Sequence, residues 1–130
     1  MIEEVIPLQE QFIRLSPRDP AIGFAYFLIG TVHLLQSRID EAIAWFERAR
    51  GTAPAAPVFR SRLAAAYALR GETERAAAEL AEAQRLSSDD RYSSIARWKV
   101  VVPHLGVHKV RELFERTYLA GLRKAGMPEE

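Results

Sequence analysis

The sequence predicts an all-α protein built from stacked antiparallel helix pairs, and three observations predict it. No segment shows the strict apolar/polar alternation expected of an exposed strand. Proline, glycine and aspartate divide the 130 residues into pieces of helix length. Two stretches also superimpose at a spacing of 34 residues: Tyr26, Ile29, Gly30, His33, Ala42, Phe46 and Ala49 match Arg60, Leu63, Ala64, Tyr67, Ala76, Leu80 and Ala83. A fixed period of this length marks a repeat architecture, in which each unit buries its apolar face by stacking on a neighbour.

The first predicted helix runs from about Pro7, tolerated in a first turn, to Leu15, because a residue before proline, here Ser16, avoids the helical region. Residues 1–17 thus supply one helix of a partial unit. Asp19-Pro20 offers a capping carboxylate and a proline with no N–H to lose, so a helix is expected from there to about Gln36. Its partner begins near Asp40-Glu41, where acidic groups complement the positive helix end, and reaches Arg50-Gly51. These two form the first full unit, 23–56. Ala55 to Arg70 and Thr73 to Leu86 form the second, 57–90, with Gly71 suited to the left-handed conformation that ends a helix.

Asp89-Asp90 signals a further start, for a helix to about Val101 that stops at Pro103. A longer helix is expected from Val107 to Lys124, closed by Gly126 and Pro128. Here the period persists while the residues decay. Val110, Phe114 and Thr117 fall under Ala76, Leu80 and Ala83, but Arg97 and Trp98 fall under Leu63 and Ala64. Residues 91–130 therefore read as a degenerate third unit that caps the stack, since a terminal unit meets water on one face.

Within each pair the two axes approach closely only where side chains are small, and Gly30, Ala42, Ala49, Ala64, Ala76 and Ala83 provide that. Ile29, His33 and Phe46 in one unit, and Leu63, Tyr67 and Leu80 in the other, fill the space beside them. These positions are explained by folding and carry no particular activity.

Composition narrows the function classes. The formal net charge is +1, so no global field draws in nucleic acid or an acidic membrane surface. There is no cysteine, which excludes disulfides, thiolate metal sites and cysteine nucleophiles. The start, Met-Ile-Glu-Glu, is acidic where a signal peptide is basic, and no apolar run approaches the roughly 20 residues that span a bilayer; a cytoplasmic protein is expected. No nucleophile elbow, phosphate loop or dinucleotide fingerprint occurs. Asp89, Asp90, Glu41 and Glu47 are better explained by helix ends and solvated faces than by paired acid/base work. His104 and His108 have a spacing that joins two imidazoles to one metal on a helix, but Pro103 and Gly106 break the helix there and no third ligand is recognisable. No catalysis, cofactor or metal is expected of this chain alone.

The 34-residue period, the Ile29-Gly30 and Leu63-Ala64 pairs and the Ala-x3-Phe/Leu spacing of each second helix resemble the tetratricopeptide (TPR) repeat. Phe12 departs from it, standing where a small alanine is usual. The resemblance implies a scaffold that holds a protein or peptide, with a concave groove lined by the first helix of each unit. By that analogy the groove residues are Phe24, Phe27, Thr31 and Leu34 in the first unit and Val58, Ser61, Arg62, Ala65 and Leu69 in the second. An aromatic-lined groove suits an amphipathic helix; alternatively Phe24 and Phe27 pack under the N-terminal helix or fill a cleft narrowed by the C-terminal one. One TPR subclass grips a chaperone's terminal carboxylate with lysine and asparagine where this chain has Phe27 and Thr31, so that ligand is not implied. Arg60, Arg62, Arg91 and Arg97 either favour an acidic partner or form a solvated scatter offset by Glu72, Glu74, Glu79 and Glu82.

The runs Ile13-Arg14-Leu15-Ser16-Pro17-Arg18-Asp19-Pro20, Leu35 through Ile43 and Tyr118 through Pro128 resemble the C-terminal TPR regions of bacterial class III adenylate cyclases and related signalling proteins. None of the cyclase's metal-binding aspartates has a counterpart here. The resemblance implies a regulatory or interaction segment with catalysis elsewhere, and an opening in mid-repeat fits a fragment or a shortened gene. A protein or peptide partner is expected, with a second copy of the chain, forming a homodimer, as the alternative.

Overall fold

A computed structural model describes residues 2–101 and 108–130, and every regular element among them is helical. The helices are α1 (Val5–Leu15), α2 (Ile22–Leu35), α3 (Ile39–Thr52), α4 (Pro57–Leu69), α5 (Thr73–Leu86), α6 (Ile95–Val101), α7 (His108–Phe114) and α8 (Ala120–Lys124). A π-helical turn, Glu115–Leu119, joins α7 to α8, so 108–124 runs as one helix with a widened middle. None of the described helices is long and apolar enough to cross a membrane.

Most ends fall where the sequence places them, and the exceptions have local causes. α1 begins at Val5 rather than Pro7, after one 3-10 turn, and stops at Leu15 before Ser16-Pro17. α2 begins at Ile22, because the Asp19 carboxylate accepts the Ala21 N–H at 2.8 Å and closes a turn that leaves Pro20 outside the helix. Asp89 and Asp90 do not cap α6, which starts five residues later than Asp90, at Ile95. Asp89 instead closes its own turn by accepting both the backbone N–H and Nε–H of Arg91, each at 3.0 Å, and Ser94 Oγ accepts the Arg97 N–H at the head of the helix. Those bonds from Arg91 hold the Asp89 carboxyl at about 2. Gly126, at φ 110°, ends α8 while the Met127 N–H donates to the Leu122 carbonyl at 3.0 Å. Pro103, His104, Gly106 and Val107 lie outside the described residues.

Helices α2 and α3 are joined by a turn whose hydrogen bonds recur between α4 and α5, 34 residues on. Arg38 N–H donates to the His33 carbonyl at 2.8 Å, and Glu72 N–H to that of Tyr67 at 2.9 Å. Ala42 and Ala76 donate to Arg38 and Glu72, both at 3.0 Å. Arg38 and Glu72 share a φ of −90° and ψ values of 77° and 71°. The left-handed residue of the turn is Ser37 in one pair and Gly71 in the other.

The crossing residues Ala42, Ala49, Ala64, Ala76 and Ala83 are fully buried. At Gly30 a Cβ would lie 2.7 Å from the Phe46 ring, well inside van der Waals contact, so the glycine sets the spacing of α2 and α3. The pairs are tied by a buried carboxylate: Glu79 of α5 accepts from Arg50 of α3 at 2.9 Å and Arg60 of α4 at 3.0 Å. Consecutive helices pack in order from α1 to α5, while the 115–124 segment returns to lie against α4 and, through the π turn, α2. This return positions the site described next.

Candidate functional site

Helices α2 and α4 present the side chains that the sequence assigns to a groove, and the chain's own C-terminal helix lies on them. The backbones approach closely at Gly121, where a Cβ would come within 2.5 Å of the Ala65 carbonyl oxygen. Only a residue without a side chain allows this approach. Beside it Tyr118 reaches down to donate to Ser61 Oγ at 2.9 Å, and Ser61 Oγ in turn donates to the Val58 carbonyl at 3.0 Å. Burial pushes the Tyr118 hydroxyl up to about 12, so it remains a donor across the ordinary pH range. Phe114, Tyr118, Leu119, Leu122 and Met127 are all buried. The widened turn directs three successive residues, Thr117, Tyr118 and Leu119, inward, and Thr117 Oγ1 returns a hydrogen bond to the Leu113 carbonyl at 2.7 Å.

Of the nine assigned residues, the structure brings Phe27, Ser61, Arg62 and Ala65 together beneath this helix. Phe27 is the centre of an aromatic cluster, with ring centroids 5.7 Å from Phe24, 6.1 Å from Phe46 and 5.3 Å from Phe59. Leu34 is fully buried in the core, and Val58 and Leu69 are half-buried against it. Thr31 is half-buried, with its Oγ1 sealed from solvent and no hydrogen-bond partner. Phe24 alone remains open, at 55 % exposure. Between the end of α2 and the C-terminal helix a cleft of about 370 Å³ remains, lined by Leu35, Gln36, Ser37, Leu113, Arg116 and Thr117.

The four arginines expected along the groove differ in their surroundings. Arg60 binds Glu79 and the Pro54 carbonyl, Arg91 binds Asp89, and Arg97 binds Asp90. Arg62 has no such partner: its Cζ lies 5.3, 5.0 and 4.1 Å from the ring centroids of Phe27, Phe114 and Tyr118, and its Nε and Nη1 are buried without an acceptor. Burial pulls this guanidinium down from its ordinary value. Two of the three rings around it, Phe114 and Tyr118, come from the C-terminal helix. Sequence reading placed those residues by repeat register and by family resemblance, not beside Arg62; the inward pattern Phe114, Tyr118, Leu122, four residues apart, is the signal that could have revealed them.

His33, at the interior repeat position, accepts the Arg38 Nε–H on Nδ1 at 2.8 Å, and burial followed by the Arg38 charge lowers its pKa from 6.5. Its counterpart Tyr67 donates to Glu47 at 2.6 Å and carries Arg75 over its ring at 4.4 Å; burial and the bond to Glu47 push Tyr67 up to about 12. His104 lies outside the described residues, as does the side chain of His108. Among the described residues no three His, Cys, Asp or Glu side chains are grouped to hold a metal ion. No protein-family model matches the chain, and no curated protein matches it.

Proposed function

We propose that this chain is a non-catalytic protein-interaction module of the TPR type, which receives an amphipathic helix in the groove between α2 and α4. The observation that supports this reading is that residues 114–124 of the chain's own C-terminal helix pack along α4 and reach α2. That helix offers Phe114, Tyr118, Leu119 and Leu122 to the groove, each contributing roughly 1.5–3 kcal/mol on burial. A partner must therefore bring comparable apolar area to take its place. The family resemblance of the sequence suggests the setting, a regulatory segment of a cytoplasmic bacterial signalling protein such as an adenylate cyclase, with catalysis elsewhere.

Gly121→Val tests this reading, because the added side chain collides with the Ala65 backbone and unseats the helix. The expected result is that a fluorescent peptide of residues 108–127 binds the variant in trans while circular dichroism retains the helicity of α1 to α5. Cooperative loss of all helicity would show that the C-terminal helix is core and not an occupant.

A second reading, self-association through α1, is favoured by Leu8 and Leu15, which stand 62 % and 74 % exposed on the helix at the N-terminal edge. Light scattering across a concentration series tests it: a dimer dissociated by Leu15→Glu supports it, and a monomer throughout removes it.

A further inference from the structure

The own-chain helix leaves one feature of the groove unmatched. A guanidinium is always charged and offers five N–H donors, and a buried donor without an acceptor is costly. Arg62 keeps two such atoms, Nε and Nη1, beneath the C-terminal helix, and Thr31 of the neighbouring groove wall keeps a sealed hydroxyl oxygen without a partner. The rings of Phe27, Phe114 and Tyr118 offset part of the charge, since a cation within about 6 Å of a ring centroid is attracted to the ring face. Rings accept no planar fork of hydrogen bonds, whereas a carboxylate does. The nearby Arg60, Arg91 and Arg97 each have a carboxylate of their own. Arg62 is thus the groove cation whose charge no described carboxylate answers.

We infer that the groove is built for a helix of another protein that carries a glutamate or aspartate within its apolar face, and that this carboxylate pairs with Arg62 where the own-chain helix presents Tyr118. The inference rests on the proposed function and adds the chemistry of the partner. The nearest ring to Arg62 belongs to Tyr118, at 4.1 Å, so an acidic side chain at that register reaches the guanidinium. Ser61 Oγ, which now accepts from the Tyr118 hydroxyl, lies beside it. A second copy of this chain inserting the same helix would bring Tyr118 again and leave Arg62 as it is. Charge complementarity therefore selects a different, acidic partner over a copy of the chain.

The test compares two fluorescent peptides of residues 108–127, one with Tyr118→Glu and one with Tyr118→Gln, titrated into the full chain and into the full chain with Gly121→Val. The two peptides have equal size and lose the same ring, so the difference between them isolates the charge. The expected result is binding about tenfold or more tighter for the glutamate peptide, as a charge-assisted pair confers, and no preference in the Arg62→Met chain. Circular dichroism confirms that this chain is folded, and Arg62→Gln replaces it if it is not. Equal binding of the two peptides would overturn the pairing with Arg62 while leaving the groove as a helix site. A preference that survives loss of Arg62 would overturn it also. Failure of both peptides to bind either chain would remove this inference and the proposed function together.

Discussion

The turn between α2 and α3 and the turn between α4 and α5 follow one path, yet Ser37 takes the left-handed conformation in the first, at φ 62°, and Gly71 in the second, at φ 92°. Their helices differ in the same way, alike in backbone and unlike in filling. The first pair crosses at Gly30 against Phe46 and buries Phe27 beside an exposed Phe24; the second crosses at Ala64 and presents Ser61, Arg62 and Ala65 to the C-terminal helix. His33 meets Arg38 within the first pair, whereas Tyr67 of the second pair reaches back to Glu47 on α3 of the first. Backbone geometry is thus set by the small residues and the turn, while the inner face is free to vary. The variation decides where the C-terminal helix sits. It presses Gly121 onto the small Ala65 of α4 and leaves an open cleft beside Leu35 at the end of α2.

Breaking the link between the pairs should have the largest effect. Glu79→Ala leaves Arg50 and Arg60 facing each other without their shared carboxylate, and since both are partly solvated we expect a loss of about 2–3 kcal/mol by urea unfolding. A loss close to zero would mean the triad does not hold α3, α4 and α5 together. The crossing comes next. Gly30→Ala drives a methyl to 2.7 Å from the Phe46 ring, and the repacking should cost about 1–3 kcal/mol.

The turns test their equivalence directly. Gly71→Ala should destabilise by about 1 kcal/mol, because a side chain is placed at positive φ with open space around it, and Ser37→Gly should stabilise by up to about 1 kcal/mol for the same reason reversed. Opposite signs in thermal melts would show that the two turns impose one backbone requirement. The smallest effect concerns His33. Its lowered folded pKa means that the unfolded chain binds a proton first as pH falls. Its contribution is therefore complete above about 6.5 and is lost as pH drops through the folded value. Arg38 Nε–H donates to Nδ1, which must be unprotonated to accept. The melting temperature should accordingly fall less on acidification in His33→Gln than in the unsubstituted chain.

Much of the helical framework was legible because it follows from local rules. Thr73–Leu86 appears with the expected bounds, and Ser16-Pro17 and Gly71 stop α1 and α4 as their conformational limits require. The late starts of α2 and α6 were not legible, because Asp19 and Asp89 can close a turn as readily as cap a helix, and the choice depends on neighbours in space. The groove residues could be named from the repeat but not their cover. That Ser61 meets Tyr118, 57 positions away in the chain, and that Arg62 meets Phe114, are non-local facts that no period of 34 contains.

The proposed function requires the C-terminal helix, 108–124, to be a separable occupant of a scaffold formed by α2 to α5. Native-state hydrogen exchange of the unsubstituted chain across low urea concentrations tests it most directly. The amides of 108–124 are expected to exchange through an opening that leaves α2 to α5 protected, at lower free energy and with weaker urea dependence. Exchange of both at one free energy and one urea dependence would contradict it, making the C-terminal helix an inseparable part of the core.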